Sequence, residues 1–266
     1  MTATTLLYAV YFLVFAFGTV IASFLNVVIW RIPRGESIVS PPSHCPNCNA
    51  LIKWYQNLPI LSYLALRGRC ASCHTRISFR YPLIEALGGI LFVLVFRYAP
   101  SWPACIVCWI WFSLLLVGTM IDFDHKLLPD FVTIGGMLLG LIFNGVTSII
   151  HHSSFFILHS LSGLAFGFGL LWLIRFLGTK AFKREAMGMG DVLLMGAVGA
   201  LYGPVSVIAV LVLSSVFGSI VGVALLIHAR RKPGSFIEIP YGPYIALGVL
   251  IWHFFDSYLI SLILYS

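Results

Sequence analysis

Two aspartates and four cysteines are the residues of this 266-residue chain whose types and spacing could do chemistry. Asp191 closes 187-MGMGD-191 and opens an apolar run with no other Asp, Glu, Lys or Arg as far as His228. Asp122 directly follows an apolar run and belongs to 121-IDFDHKLLPD-130, which holds three of the chain's nine acids. A carboxylate beside a low-dielectric layer is costly, and two that face one another cannot both ionise cheaply. They would share one proton, and such a pair can activate a water and protonate a leaving amine. Gly188 and Gly190 would let the backbone come close to a reacting strand and bend before the helix, and the N-terminus of a helix opening at Asp191 would favour its charge. A plainer reading competes. Asp191 and Asp130 both suit helix N-caps, and for Asp130, which follows Pro129, the cap is preferred. Asp124 is either a solvated loop residue or a support for the pair. Asp122 has no helix starting after it, so capping leaves it unexplained.

The cysteines form a second pattern. Cys45-x-x-Cys48, twenty-one intervening residues and Cys70-x-x-Cys73 give the spacing of a four-thiolate zinc site. Pro46 and Gly68 suit the tight turns that aim paired sulfurs at one metal. The set leaves no open coordination position, so the zinc expected here is structural. His44 and His74 flank it and are not needed as ligands. Cys105 and Cys108 read as small buried apolar residues.

The elements that must position these groups follow from composition. The chain is 60% hydrophobic and 9% charged, with a mean hydropathy of +0.99. That composition is far too apolar for a soluble core and marks an all-α polytopic membrane protein. The span at 5–30 is followed by Trp30-Arg31-Ile32-Pro33-Arg34 and no small-residue cleavage site, so it reads as a retained helix. Basic residues cluster at 31–80, at Lys126, at 175–184 and at 230–232. Between the clusters lie the apolar blocks 81–121, 131–174 and 191–228, each about twice the ~20 residues one crossing needs. Each block therefore holds two helices, broken at Tyr98-Ala99-Pro100-Ser101, at His151-His152-Ser153-Ser154 and at Gly203-Pro204. Adding a last span at 241–263 gives about eight transmembrane helices, with the four-cysteine loop between the first two. The helix at about 191–202 is short and Gly-rich, which predicts close packing or tilt. With the basic loops inside, every Lys and Arg except Arg97 lies on the inner side. Asp122 and Asp191 then fall on that same side at similar depth. No phosphate-binding loop, dinucleotide fingerprint or nucleic-acid motif is present, and the net charge of +7 is explained by topology. Two intramembrane acids also suit a proton- or ion-coupled transporter, though no repeat relates the halves. A scaffold whose aspartates only cap helices is a further alternative.

The motifs 23-SFLNVVIWRIPRGESIVSPPSHCPNC-48, 70-CASC-73, 79-FRYPLIEALGG-89, 122-DFDHKLLPD-130, 188-GMGD-191 and 240-PYGPYIALG-248 together resemble the bacterial type IV prepilin peptidases, membrane aspartic proteases of the GxGD class. The resemblance covers nearly the whole chain. It implies that Asp122 and Asp191 are the catalytic pair, supported by Gly188, Gly190 and Asp124. It implies cleavage of a short basic leader after glycine, at the cytoplasmic face of the bacterial inner membrane, from type IV prepilins or pilin-like precursors. N-methylation of the new terminus with S-adenosylmethionine would follow, with Glu85 and Arg80 as candidate residues of the methyltransferase site. The implied partition is an N-terminal region at 1–99 and a six-helix peptidase domain at 100–266.

Overall fold

The computed structural model describes residues 3–185, 187–229 and 239–265; the basic cluster at 230–232 lies outside the described residues. Among the described residues every regular element is helical. They are α1 (Ala3–Arg31), α2 (Leu61–Ala65), α3 (Arg80–Tyr98), α4 (Trp102–His125), α5 (Asp130–Ile150), α6 (Phe155–Phe182), α7 (Met189–Tyr202), α8 (Pro204–Ala229) and α9 (Gly242–Tyr265). Seven are long and apolar enough to cross a membrane. The breaks fall where Pro, Gly and paired polar residues interrupt the apolar runs. Residues 99–101 separate α3 from α4, 151–154 separate α5 from α6, and Gly203 alone separates α7 from α8. The expected eight-helix pattern is thus present, but α7 has only 14 residues. At ~1.5 Å per residue it is ~21 Å long, short of a ~30 Å hydrocarbon layer.

The chain forms two compact units, Met1–Ser113 and Leu114–Ser266, which divide within α4. In the first, α1 and α3 pack through small residues. A Cβ on Gly88 would stand 2.4 Å from that of Ala22, so the two backbones approach as only glycine permits. Toward the other end of α3, Phe92 stacks on Trp109 with ring centroids 5.0 Å apart, and Trp109 Nε1–H donates to the Phe92 carbonyl at 3.0 Å.

In the second unit α7 is the buried element, with nine of its residues from Asp191 to Ala200 shielded from solvent. The expectation of close packing is met at backbone level. Gly163 and Gly167 of α6 lie against the backbone of α7 at Gly199 and Met195, and Gly140 of α5 lies against Ala200. The Ala200 carbonyl accepts hydrogen bonds from Ser160 Oγ at 2.5 Å and Asn144 Nδ2 at 3.1 Å. A helix too short to span is thereby fixed along its length by its neighbours, and its first turn, which carries Asp191, is held in place.

Candidate functional site

Asp122 lies in the last turn of α4 and Asp191 in the first turn of α7. Both are buried, at 5% and 8% exposure, and the two carboxylates are close enough to interact electrostatically. Sequence spacing placed them at one end of the helix bundle, and the fold brings them together there. A third element closes the site. The Gly242 backbone N–H, at the start of α9, donates to Asp122 Oδ2 at 2.9 Å in a buried setting. A Cβ at Gly242 would stand 2.8 Å from that oxygen, so a side chain there would press on the carboxylate that the N–H holds. Gly242 lies in the quoted motif 240–248 but had no role in the sequence reading, because a backbone donor leaves no side-chain signature.

Asp191 is not the N-cap of α7. The cap is Gly188, extended at φ −64° and ψ 148° and without a side-chain cap, and Asp191 is the third helical residue. Its carboxylate takes a hydrogen bond from the Gly188 backbone. Asp130 is likewise the first residue of α5 rather than its cap, which is Pro129. It is exposed, as is Asp124. Gly188 and Gly190 differ in what surrounds them. A Cβ on Gly188 would meet only Asp191 Oδ2, at 3.5 Å, whereas one on Gly190 would stand 2.7 Å from the Leu128 Cβ. Leu128 also faces Gly118 and Gly242, with its methyl carbons 3.2–3.3 Å from the Cβ positions those glycines lack. One leucine of the 126–130 segment thus packs among the helices that carry both aspartates and the Gly242 donor.

Arg175 of α6 holds two residues ahead of α7. Arg175 pairs with Glu185 at 3.1 Å and donates through Nε to the Met187 carbonyl at 3.0 Å.

In the first unit Cys45, Cys48, Cys70 and Cys73 converge with all four sulfurs within 4.8 Å of one another. The Cys45–Cys73 and Cys48–Cys70 separations are 3.8 and 4.0 Å. Tetrahedral coordination at ~2.3 Å per bond places sulfurs ~3.8 Å apart, so the set fits a bound metal ion. The two knuckles are built alike. Asn49 and His74, each following the second cysteine of a pair, have positive φ. Each returns its N–H to the carbonyl of the first cysteine, at 2.8 and 3.0 Å. Hydrogen bonding from Thr75 and then Asn47 draws the Cys73 thiol down to about 5, and backbone N–H groups of Cys73 and Ser72 lower that of Cys70. Both effects favour the thiolate that ligates metal, while the Cys48 thiol, hydrogen-bonded to the Ala50 backbone but desolvated among the other three sulfurs, is pushed up to about 11. His44 is turned to the Pro42 carbonyl at 3.1 Å.

Glu85 and Arg80 both belong to α3. Glu85 is buried and its Oε2 accepts the Ile60 backbone N–H at 2.7 Å. Its carboxylate also takes a hydrogen bond from Ser23. Glu85 therefore holds the loop between α1 and α3, a contact that sequence spacing did not suggest. Arg80 opens α3.

Two family models match. Residues 16–99 match the bacterial peptidase A24 N-terminal domain, and residues 109–223 match the type IV leader peptidase family. Among curated relatives, a prepilin leader peptidase/N-methyltransferase of Myxococcus xanthus is 39% identical over 85% of this chain and 65% of its own length. The chain thus spans just under two thirds of that relative. A type 4 prepilin-like proteins leader peptide-processing enzyme of Escherichia coli is 35% identical, covering 87% of this chain and 88% of that one. A prepilin leader peptidase/N-methyltransferase of Aeromonas hydrophila is 36% identical over 90% of each. No solved structure matches.

Proposed function

The chain belongs to the type IV leader peptidase family, and from that premise we propose that it is a membrane aspartic endopeptidase that removes the basic leader of type IV prepilins or pilin-like precursors. The observation that carries the reading is the pairing of buried Asp122 and Asp191 from two helices, with the Gly242 N–H on one of them. The two carboxylates share one proton around a water. The ionised one removes a proton from the water as it attacks the scissile carbonyl, and the protonated one gives its proton to the carbonyl oxygen. Collapse of the diol returns a proton to the leaving amine, which departs as the new N-terminus. Gly242 N–H holds the Asp122 carboxylate in one orientation for this exchange. Gly188 and Gly190 support the first turn of α7, and Asp124 is an exposed accessory acid for the basic leader.

The placement of Lys and Arg supports an inner-membrane protein with the site at the cytoplasmic face, where a cytoplasmic leader meets a membrane helix. Zn²⁺ is the metal that four thiolates select, and a closed set gives it a structural role. The names of the relatives support a second activity, N-methylation of the product amine, with S-adenosylmethionine supplying an electrophilic methyl group when bound. Glu85 and Arg80 are its candidate residues, Glu85 acting through the loop it holds. Family membership gives no support to the transporter alternative.

The test is incubation of the purified protein with a prepilin in detergent. The expected result is release of the leader, read as a mass loss, followed by a gain of one methyl when S-adenosylmethionine is added. An intact precursor with a folded protein would overturn the reading.

A further inference from the structure

The loop between α1 and α3 exposes an apolar surface that neither the metal nor the active site explains. Over 54–65, Trp54 is 80% exposed and Leu61 and Leu64 are each 65% exposed, with Tyr55 and Leu58 also open. Leu61 and Leu64, three apart in α2, share a face. Exposed apolar groups in such number within one short segment mark an interaction surface.

The depth of this segment is set by a strained turn. Ile60 has φ 59° and ψ −49°, a conformation that a β-branched residue resists, and Leu61 N–H closes a γ-turn on the Pro59 carbonyl at 2.5 Å. Strain of this kind persists only where the surroundings fix it. The fixing group is Glu85, whose buried carboxylate accepts the Ile60 N–H at 2.7 Å. Glu85 is the sixth residue of α3, a helix of 19 residues that at ~1.5 Å per residue is ~28 Å long, barely a bilayer's hydrocarbon thickness. The residue holding Ile60 therefore lies ~7.5 Å inside the end of a membrane helix, within the headgroup–acyl boundary rather than beyond it.

Charge argues for the same occupant. Lys53, Arg67, Arg69 and Arg76 flank the apolar segment, and no acid occurs between Glu36 and Glu85. Basic residues flanking an apolar segment in the chain, with its one contacting acid, Glu85, buried, complement an anionic leaflet, whose phosphates attract juxtamembrane Lys and Arg.

We propose that residues 54–65 form a lipid-seated anchor, with Trp54, Leu58, Leu61 and Leu64 in the acyl boundary of an anionic leaflet and Lys53, Arg67 and Arg69 on its phosphates. The anchor holds the metal-bearing loop against the membrane independently of the peptidase reading.

The test uses the full-length protein in nanodiscs of phosphatidylglycerol and phosphatidylcholine whose acyl chains carry bromine either near the headgroup or near the terminal methyl. Tryptophan emission is compared between the wild-type protein and Trp54→Phe, with metal content measured in both to show that the loop is folded. The anchor predicts that the Trp54 share of emission, obtained by difference, is quenched at least about twofold more by shallow than by deep bromine. It also predicts that Leu61→Ser/Leu64→Ser, at unchanged metal content, loses that preference. A Trp54 share quenched by aqueous acrylamide and by neither bromolipid would overturn the proposal. A share that only added prepilin shields from acrylamide would overturn it too, identifying a protein-docking surface instead.

Discussion

At the scale of single residues, rarity made the aspartates legible. Nine acids in an apolar chain leave few explanations for one that follows a hydrophobic run, and Asp122 had no helix to cap. The groups around the pair were hidden because they act through backbone or through shape. Gly242 contributes an N–H, and Leu128 contributes volume between glycines distant in sequence. Both make testable predictions. Gly242→Ala would set a methyl 2.8 Å from Asp122 Oδ2 and displace either the carboxylate or α9. It should lower kcat for leader release by about tenfold or more, the cost of a misplaced catalytic group, with KM little changed. Leu128→Ala opens a cavity in a closely packed place, at a cost of about 2–5 kcal/mol in stability, read as a fall in Tm in detergent. Asp130→Asn, at an exposed helix start, should keep most activity in the same leader-release assay.

At the scale of elements, the spans were readable from charge spacing and from the Pro and Gly breaks, which cost helix backbone its hydrogen bonds. The short α7 was legible as short, since Gly203-Pro204 ends it. What sheathes it was not, because contacts such as Gly163 on Gly199 join residues far apart in sequence. The four-cysteine loop was legible from its two CxxC pairs, while the Glu85–Ile60 bond across twenty-five residues had no local signal. If the cysteines hold one zinc, the purified protein should carry about one equivalent. Cys45→Ser should lose it and leave residues 44–79 open to limited proteolysis, because metal binding and folding are coupled in such small sites. Acidification should release the metal and realkalinisation restore it, since ligation needs thiolates and protons compete for them. Metal content unchanged in a Cys45→Ser/Cys70→Ser double variant would contradict the assignment.

At the scale of the whole molecule, the arrangement of Lys and Arg predicts which side each loop faces. Single cysteines at 37, 126 and 183 should react with an impermeant reagent only from the inner side, and those at 100 and 153 only from the outer side. Outer labelling at 183 would break the hairpin parity that puts both aspartates at the inner face. Family membership and the buried pair converge on one central claim, that Asp122 and Asp191 cleave the leader together. The most direct measurement is leader release by the folded Asp191→Asn protein, with Asp122→Asn alongside. Asparagine keeps the shape and hydrogen-bonding of either site but cannot exchange the shared proton. The predicted result is no detectable cleavage by either variant at wild-type Tm and metal content. Cleavage at the wild-type rate by Asp191→Asn would reduce that carboxylate to a support for the first turn of α7 and contradict the account.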